Sequence, residues 1–103
     1  MQKTAQEIDW REISYEILER VCVSLDYWCH RISGDSLEEC YSVFYDLDLY
    51  SIAELLENLG FEGITKEDLE LIREMPEEIY REIEIELHRR IEEVLDYLRT
   101  WEE

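Results

Sequence analysis

Apolar residues recur along this chain at the three- and four-residue steps of a helix, not at the two-residue step of a strand. With successive residues set about 100° apart, Trp10, Ile13, Ile17, Leu18, Val21, Leu25, Trp28 and Ile32 fall on one side. Asp9, Glu12, Glu16, Glu19 and Asp26 fall on the other. Thr4 followed by Glu7 has the spacing of a capping box. The pattern therefore predicts one long amphipathic helix, from that box to about Ile32, with an acidic back.

Ser33-Gly34-Asp35 breaks the pattern, and Ser36 with Glu39 offers a second box for a short helix over about Leu37 to Tyr45. The stretch Tyr45 to Tyr50 alternates polar and apolar residues, but no partner strand is evident elsewhere, so it reads as a connector. Ser51 with Glu54 predicts the start of a third helix, closed by Gly60 in the left-handed conformation. Phe61 to Ile64 reads as a turn containing Gly63. Thr65 with Asp68 predicts a fourth helix to about Glu74, and Pro76 stands where a last helix would take its first residue.

That last helix carries Ile79, Tyr80, Ile83, Leu87, Ile91, Val94, Leu98 and Trp101 on one side. Glu78, Glu82, Glu86, Glu93 and Asp96 line a neighbouring face, interrupted by Arg89. Ile85 lies away from the apolar side, as an ordinary exposed residue or a partner contact. The expected fold is all-α: a compact bundle of about five helices with long N- and C-terminal helices. Residues 1–103 are read as a single acidic helical domain, since this length has room for one modest core.

Charge changes this picture most. Asp and Glu number 28 against 10 Lys and Arg, a formal net charge of −18, while 46% of residues are apolar. The apolar content supports a folded core, but the charge must lie on the surface, where self-repulsion opposes folding and salt should relieve it. Direct nucleic-acid binding and an anionic membrane surface are disfavoured by like-charge repulsion. The natural complement is a positively charged groove on another protein. Solubility or adaptation to salt would account for the charge without a partner. The polar opening residues and the lack of a long apolar run predict no signal peptide and no membrane span. Three cysteines, Cys22, Cys29 and Cys40, show no paired framework and suit a reducing cytoplasm.

Little catalytic chemistry is suggested. No phosphate-binding glycine loop, nucleophile elbow or His-Glu zinc motif occurs. Cys22, Cys29, Cys40 and a histidine could be assembled as zinc ligands, but buried thiols are the simpler reading, so no metal and no cofactor are expected. Arg81 and His88, seven residues apart, have a spacing found in some helical ribonucleases. Ion pairs from Arg81 to Glu77 or Glu78 explain that arginine equally well, and so many carboxylates would repel RNA. The chain is not expected to be an enzyme.

Rows of carboxylates can serve another purpose. Helix neighbours at i+3 and i+4 stand about 5–6 Å apart, whereas duplex DNA carries one charge per ~1.7 Å of axis over two strands. Acidic helices set side by side could approximate that field. The last third of the chain resembles the phage overcome-classical-restriction (Ocr) family of anti-restriction DNA mimics. The resemblance lies in Glu78-Ile79-Tyr80-Arg81-Glu82-Ile83-Glu84-Ile85-Glu86-Leu87, then Glu92-Glu93-Val94-Leu95 with Tyr97 and Leu98. Tyr50-Ser51-Ile52-Ala53-Glu54-Leu55-Leu56, followed by Gly60 and Gly63, is similar to an earlier helix of that family. Asp48-Leu49 stands in place of the family's Val-Pro, and Arg89, Arg90 and Arg99 break the acidic stripe.

The resemblance implies a homodimer in the host cytoplasm that blocks the DNA groove of a defence enzyme, type I restriction-modification enzymes above all. The partner-binding residues would be Asp9, Glu12, Glu16, Glu19, Asp26, Glu78, Glu82, Glu86, Glu93 and Asp96, with Trp10, Tyr27, Trp28, Phe44, Tyr45 and Phe61 as dimer-contact candidates. The alternative is an acidic helical adaptor or assembly protein, or an antitoxin, bound to a basic protein.

Overall fold

Asp9 starts the first helix of the structure, a computed structural model that describes residues 9–33, 37–60 and 63–101, the side chains of Ile32, Ser33 and Trp101 excepted. Its carboxylate accepts the Glu12 N–H at 3.2 Å, satisfying one of the donors that a helix N-terminus leaves unpaired. Helix α1 (Trp10–Trp28) then runs into a π-helical turn over Cys29–Ser33. The expected helix thus reaches the predicted end with its last turn loosened, and it is capped later than expected. The Thr4–Glu7 pair lies outside the described residues, as do Gly34 to Ser36, on which the predicted break and second box depend.

Helix α2 (Leu37–Tyr45) has the predicted bounds. Helix α3 (Leu49–Asn58) begins earlier than predicted, because Asp48 and not Ser51 is the cap. The Asp48 carboxylate accepts the Ser51 N–H at 2.8 Å, which puts Ser51 inside the first turn. Gly60 follows with φ +85°, the left-handed conformation expected. A Cβ there would meet nothing within 4 Å, so the backbone angle alone selects glycine. Helix α4 (Lys66–Glu74) opens on a complete capping box between Thr65 and Asp68. In α5 (Glu77–Trp101), the Pro76 carbonyl accepts the Tyr80 N–H at 2.8 Å, so Pro76 stands one place before the first helical residue.

The fold is therefore an all-α bundle, with five α-helices, the first and last of them long, and no strand among the described residues. Helix α5 is its axis, touching α1, α2 and α3, while α4 packs on α3. On one flank, Arg99 meets Glu38, His88 meets Leu47, Glu84 meets Leu49 and Tyr80 meets Tyr50. These falling pairs make α2 and α3 one antiparallel track along α5. On the other flank, Arg11 meets Glu82 and Glu19 meets Arg90, both 71 residues apart in sequence, so α1 runs parallel to α5.

Ile17, Leu18, Val21 and Leu25 of α1 and Ile83, Leu87, Ile91 and Leu95 of α5 are buried, at helix-face spacing. Each such aliphatic side chain contributes about 1.5–3 kcal/mol of transfer free energy. Phe44, Leu49, Ile52 and Leu56 close the core from α2 and α3. The body measures 59 × 25 × 17 Å.

The antiparallel hairpin of α1 and α2 also pairs Cys29 with Cys40, their Cα atoms 5.6 Å apart, in a disulfide. This corrects the reading of an unpaired cysteine set. The odd count concealed one pair, which only the hairpin brings together, and Cys22 is the thiol left over.

Candidate acidic interface

The parallel packing of α1 and α5 decides where the acidic rows go. On α1, Glu12, Glu16, Glu19 and Asp26 follow at three-, four- and seven-residue steps and are exposed. On α5, Glu78, Glu93 and Asp96 are exposed and share a stripe with the half-buried Glu82 and Glu86. The Arg11–Glu82 and Glu19–Arg90 contacts bring the two stripes together at the α1–α5 seam, where Glu19, Asp26 and Glu93 border one groove. At 1.5 Å per residue, Glu12 to Asp26 spans ~21 Å and Glu78 to Asp96 spans ~27 Å.

The ten residues are not equivalent. Asp9 is exposed but engaged as the α1 cap. Glu82 stitches the seam, accepting Arg11 Nη1 at 2.9 Å and the Tyr15 hydroxyl at 2.9 Å. That bond to Glu82 is the main reason the Tyr15 phenol is pushed above its ordinary value. Glu86 sits between Arg89, 2.6 Å away, and Arg90, 3.2 Å away. The hydrogen bond from Arg89, helped by Arg90, holds its carboxyl below the usual glutamate range. Arg90 crosses the seam to Glu19 at 3.0 Å, while Arg89 also reaches Glu93. Asp96 stands 4.0 Å from Arg99. Glu12, Glu16 and Glu78 carry no ion pair among the described residues.

Contacts between helices had no signal in the sequence. Arg11 and Tyr15 reach across to Glu82, and Tyr41 donates its hydroxyl to Asp26 at 2.5 Å. Burial, with the Asp26 carboxylate adding to it, pushes the Tyr41 phenol far above its ordinary value, so it stays a donor. The Glu86–Arg90 pair at i,i+4 was readable, but not the reach of Arg90 to Glu19.

The dimer-contact candidates divide. Phe44 is buried core, Trp10 and Trp28 are half-buried against the core, and Tyr27 and Tyr45 are exposed. Phe61 lies outside the described residues. Ile85 is 63% exposed beside Tyr45 and His88, as its place off the apolar side predicted.

Arg81 and His88 turn out to have separate duties. Arg81 pairs with Glu77 at 2.8 Å, as expected. His88 faces two backbone carbonyls, with Nδ1 3.0 Å from Glu84 O and Nε2 2.8 Å from Leu47 O. It thereby ties the α2–α3 connector to α5. No group of three or more His, Cys, Asp or Glu residues is arranged to hold a metal among the described residues, and Cys29 and Cys40 are taken up by each other. Among the described residues no helix is long and apolar enough to cross a membrane.

Compared with protein-family profiles, curated proteins and solved structures, the chain matches none.

Proposed function

We propose that this protein is a DNA-mimic inhibitor that occupies the DNA-binding groove of a host-defence enzyme, with type I restriction-modification enzymes as the favoured target. The observation that carries the reading is the placing of two acidic rows side by side along the α1–α5 seam of a body 59 Å long. At ~3.4 Å per nucleotide step, rows of ~21–27 Å correspond to about six to eight phosphates on each strand. Carboxylates spread along a rigid edge offer a phosphate-binding groove many weak contacts at once, which governs association rate and salt dependence more than any single pair does. A second copy would lengthen the surface, and the partial resemblance to the Ocr family points to a dimer of this kind.

The test is competition. The full chain should displace a labelled duplex from a type I restriction or modification complex at low salt, and lose potency as salt rises. Glu12→Lys, Glu16→Lys and Glu78→Lys together should weaken displacement by roughly tenfold or more, because rim charges act mainly through encounter rate. Absence of displacement from every DNA-binding defence protein tried at low salt would sink the proposal.

Ile85, 63% exposed with Tyr45 next to it, favours a second reading as a helical adaptor or antitoxin that holds a basic partner through apolar contact. Under that reading Ile85→Asp abolishes partner binding while the three charge reversals leave it intact. Co-purification with a basic toxin would support it.

A further inference from the structure

A groove of about 340 Å³ opens between α1, α2 and α5, within the acidic face. Its floor is apolar and buried, made by Leu25, Leu87 and Ile91, with Val23 and Val94 at the lip. Its rim carries the carboxylates of Glu19, Asp26 and Glu93. Val23 lies in the middle of the α1 acidic stripe and is 60% exposed, so the stripe is interrupted by an apolar step where the groove begins. That volume falls at the lower end of the ~300–1,000 Å³ typical of ligand clefts.

A long basic side chain fits this chemistry better than an apolar or acidic one. Its methylene stem can lie on the valine and isoleucine walls while its charged head stays among carboxylates at the rim. The chain itself supplies a precedent at one end of the same groove. The Arg90 guanidinium lies between Glu19, 3.0 Å away, and Glu86, 3.2 Å away, with Nη1 3.7 Å from the Cys22 sulfur. At the other end, Asp26 is held in place by the Tyr41 hydroxyl, and Glu93 already accepts Arg89 Nη1 through Oε2, which leaves Oε1 to an incoming donor. An ionised carboxylate has about four acceptor sites, and each of these bonds uses one.

We infer that this groove takes an arginine side chain of the bound protein, with its stem over Val23, Ile91 and Val94 and its guanidinium between Asp26 and Glu93. The inference rests on the reading of the partner as a basic, DNA-binding protein, whose phosphate-contacting arginines are the available occupants. Arginine is chosen over lysine because its planar fork can engage two carboxylates and its weakly hydrated face packs on apolar walls. It gives the mimic one anchored contact among many diffuse ones.

The test uses blocked tripeptides Gly-Arg-Gly, Gly-Lys-Gly and Gly-norleucine-Gly, titrated at low salt into the isotope-labelled full chain and followed by NMR. The arginine peptide should shift Val23, Asp26, Ile91 and Val94 in a saturable way, about threefold or more tighter than the lysine peptide. Asp26→Asn should weaken it by about threefold or more, and Val23→Trp, made at an exposed position, should block it. Glu70→Gln, the same charge change on exposed α4, should leave it unchanged. Equal shifts at carboxylates of α3 and α4, or norleucine or lysine binding as tightly as arginine, would overturn the inference. In the displacement assay Val23→Trp should cost about tenfold. Full potency of that variant removes the groove contact while leaving DNA mimicry standing. Site-specific arginine binding without displacement of DNA by the wild type keeps the groove and removes the mimicry.

Discussion

Ser14 and Ser24 are fully buried on α1, and their hydroxyls have no hydrogen-bond partner among the described residues. A buried hydroxyl without a partner forfeits its hydration for nothing, and alanine is also the better helix former. Ser14→Ala and Ser24→Ala should therefore each stabilise the protein by about 0.5–2 kcal/mol in urea unfolding. A loss of stability in both would mean that the hydroxyls are satisfied in solution. His88 presents the opposite case. Both ring nitrogens face carbonyl oxygens, one on its own helix and one on the α2–α3 connector. His88→Ala should cost about 1–3 kcal/mol and loosen the α2–α3 connector, read as faster amide exchange around Leu47. A ribonuclease role, by contrast, would show as RNA cleavage lost in the same variant. The sequence singled out His88 only for its spacing from Arg81 and offered no structural duty for it, because a side chain bridging to a carbonyl 41 residues away leaves no trace in local spacing.

Capping signals were legible only where no second candidate stood close by, because a cap is a local event. Thr65 with Asp68 formed the predicted box, and Gly60 took the predicted backbone angle. The start of α3 was misplaced because Asp48 and Ser51 compete at the same spacing, and the aspartate won the cap. Asp48→Ala should cost about 1 kcal/mol at neutral pH. The Ser51 hydroxyl, and then its N–H, hold the Asp48 carboxyl below its ordinary value. The folded value thus lies under the unfolded one, so the stabilisation is complete above the unfolded carboxylate range and disappears as pH falls through the folded value. The gap between wild type and Asp48→Ala should accordingly narrow when unfolding is repeated at pH ~2.5, and a constant gap would contradict the assignment. The disulfide joins the π-helical turn to α2 across 11 residues, and closing a loop of that size is worth about 3 kcal/mol. A reductant should lower stability by up to that amount, while Cys22→Ser should not change the response.

For the whole molecule, the sequence revealed how much charge there is and on which helix faces, but not that the two faces are neighbours. Periodicity assigns a residue to a side of its own helix and contains nothing about the partner helix. The arginines modify the rows most: Arg11, Arg89 and Arg90 tie up Glu82, Glu86, Glu19 and Glu93, Asp9 and Asp26 are held by hydrogen bonds, and Glu12, Glu16 and Glu78 are the row carboxylates with neither an ion pair nor a hydrogen bond among the described residues. With a net charge of −18, added salt should raise the melting temperature, and an unchanged or falling value would mean that the ion pairs outweigh the repulsion.

The offset of 71 residues between α1 and α5 has a kinetic consequence. Neither half of the chain contains the acidic face, which exists only after a long loop has closed between two segments that repel each other. Screening should therefore act on the folding limb of the chevron more than on the unfolding limb. A chain cut between α2 and α3 would keep all of its charge and lose the face that the charge is arranged to make.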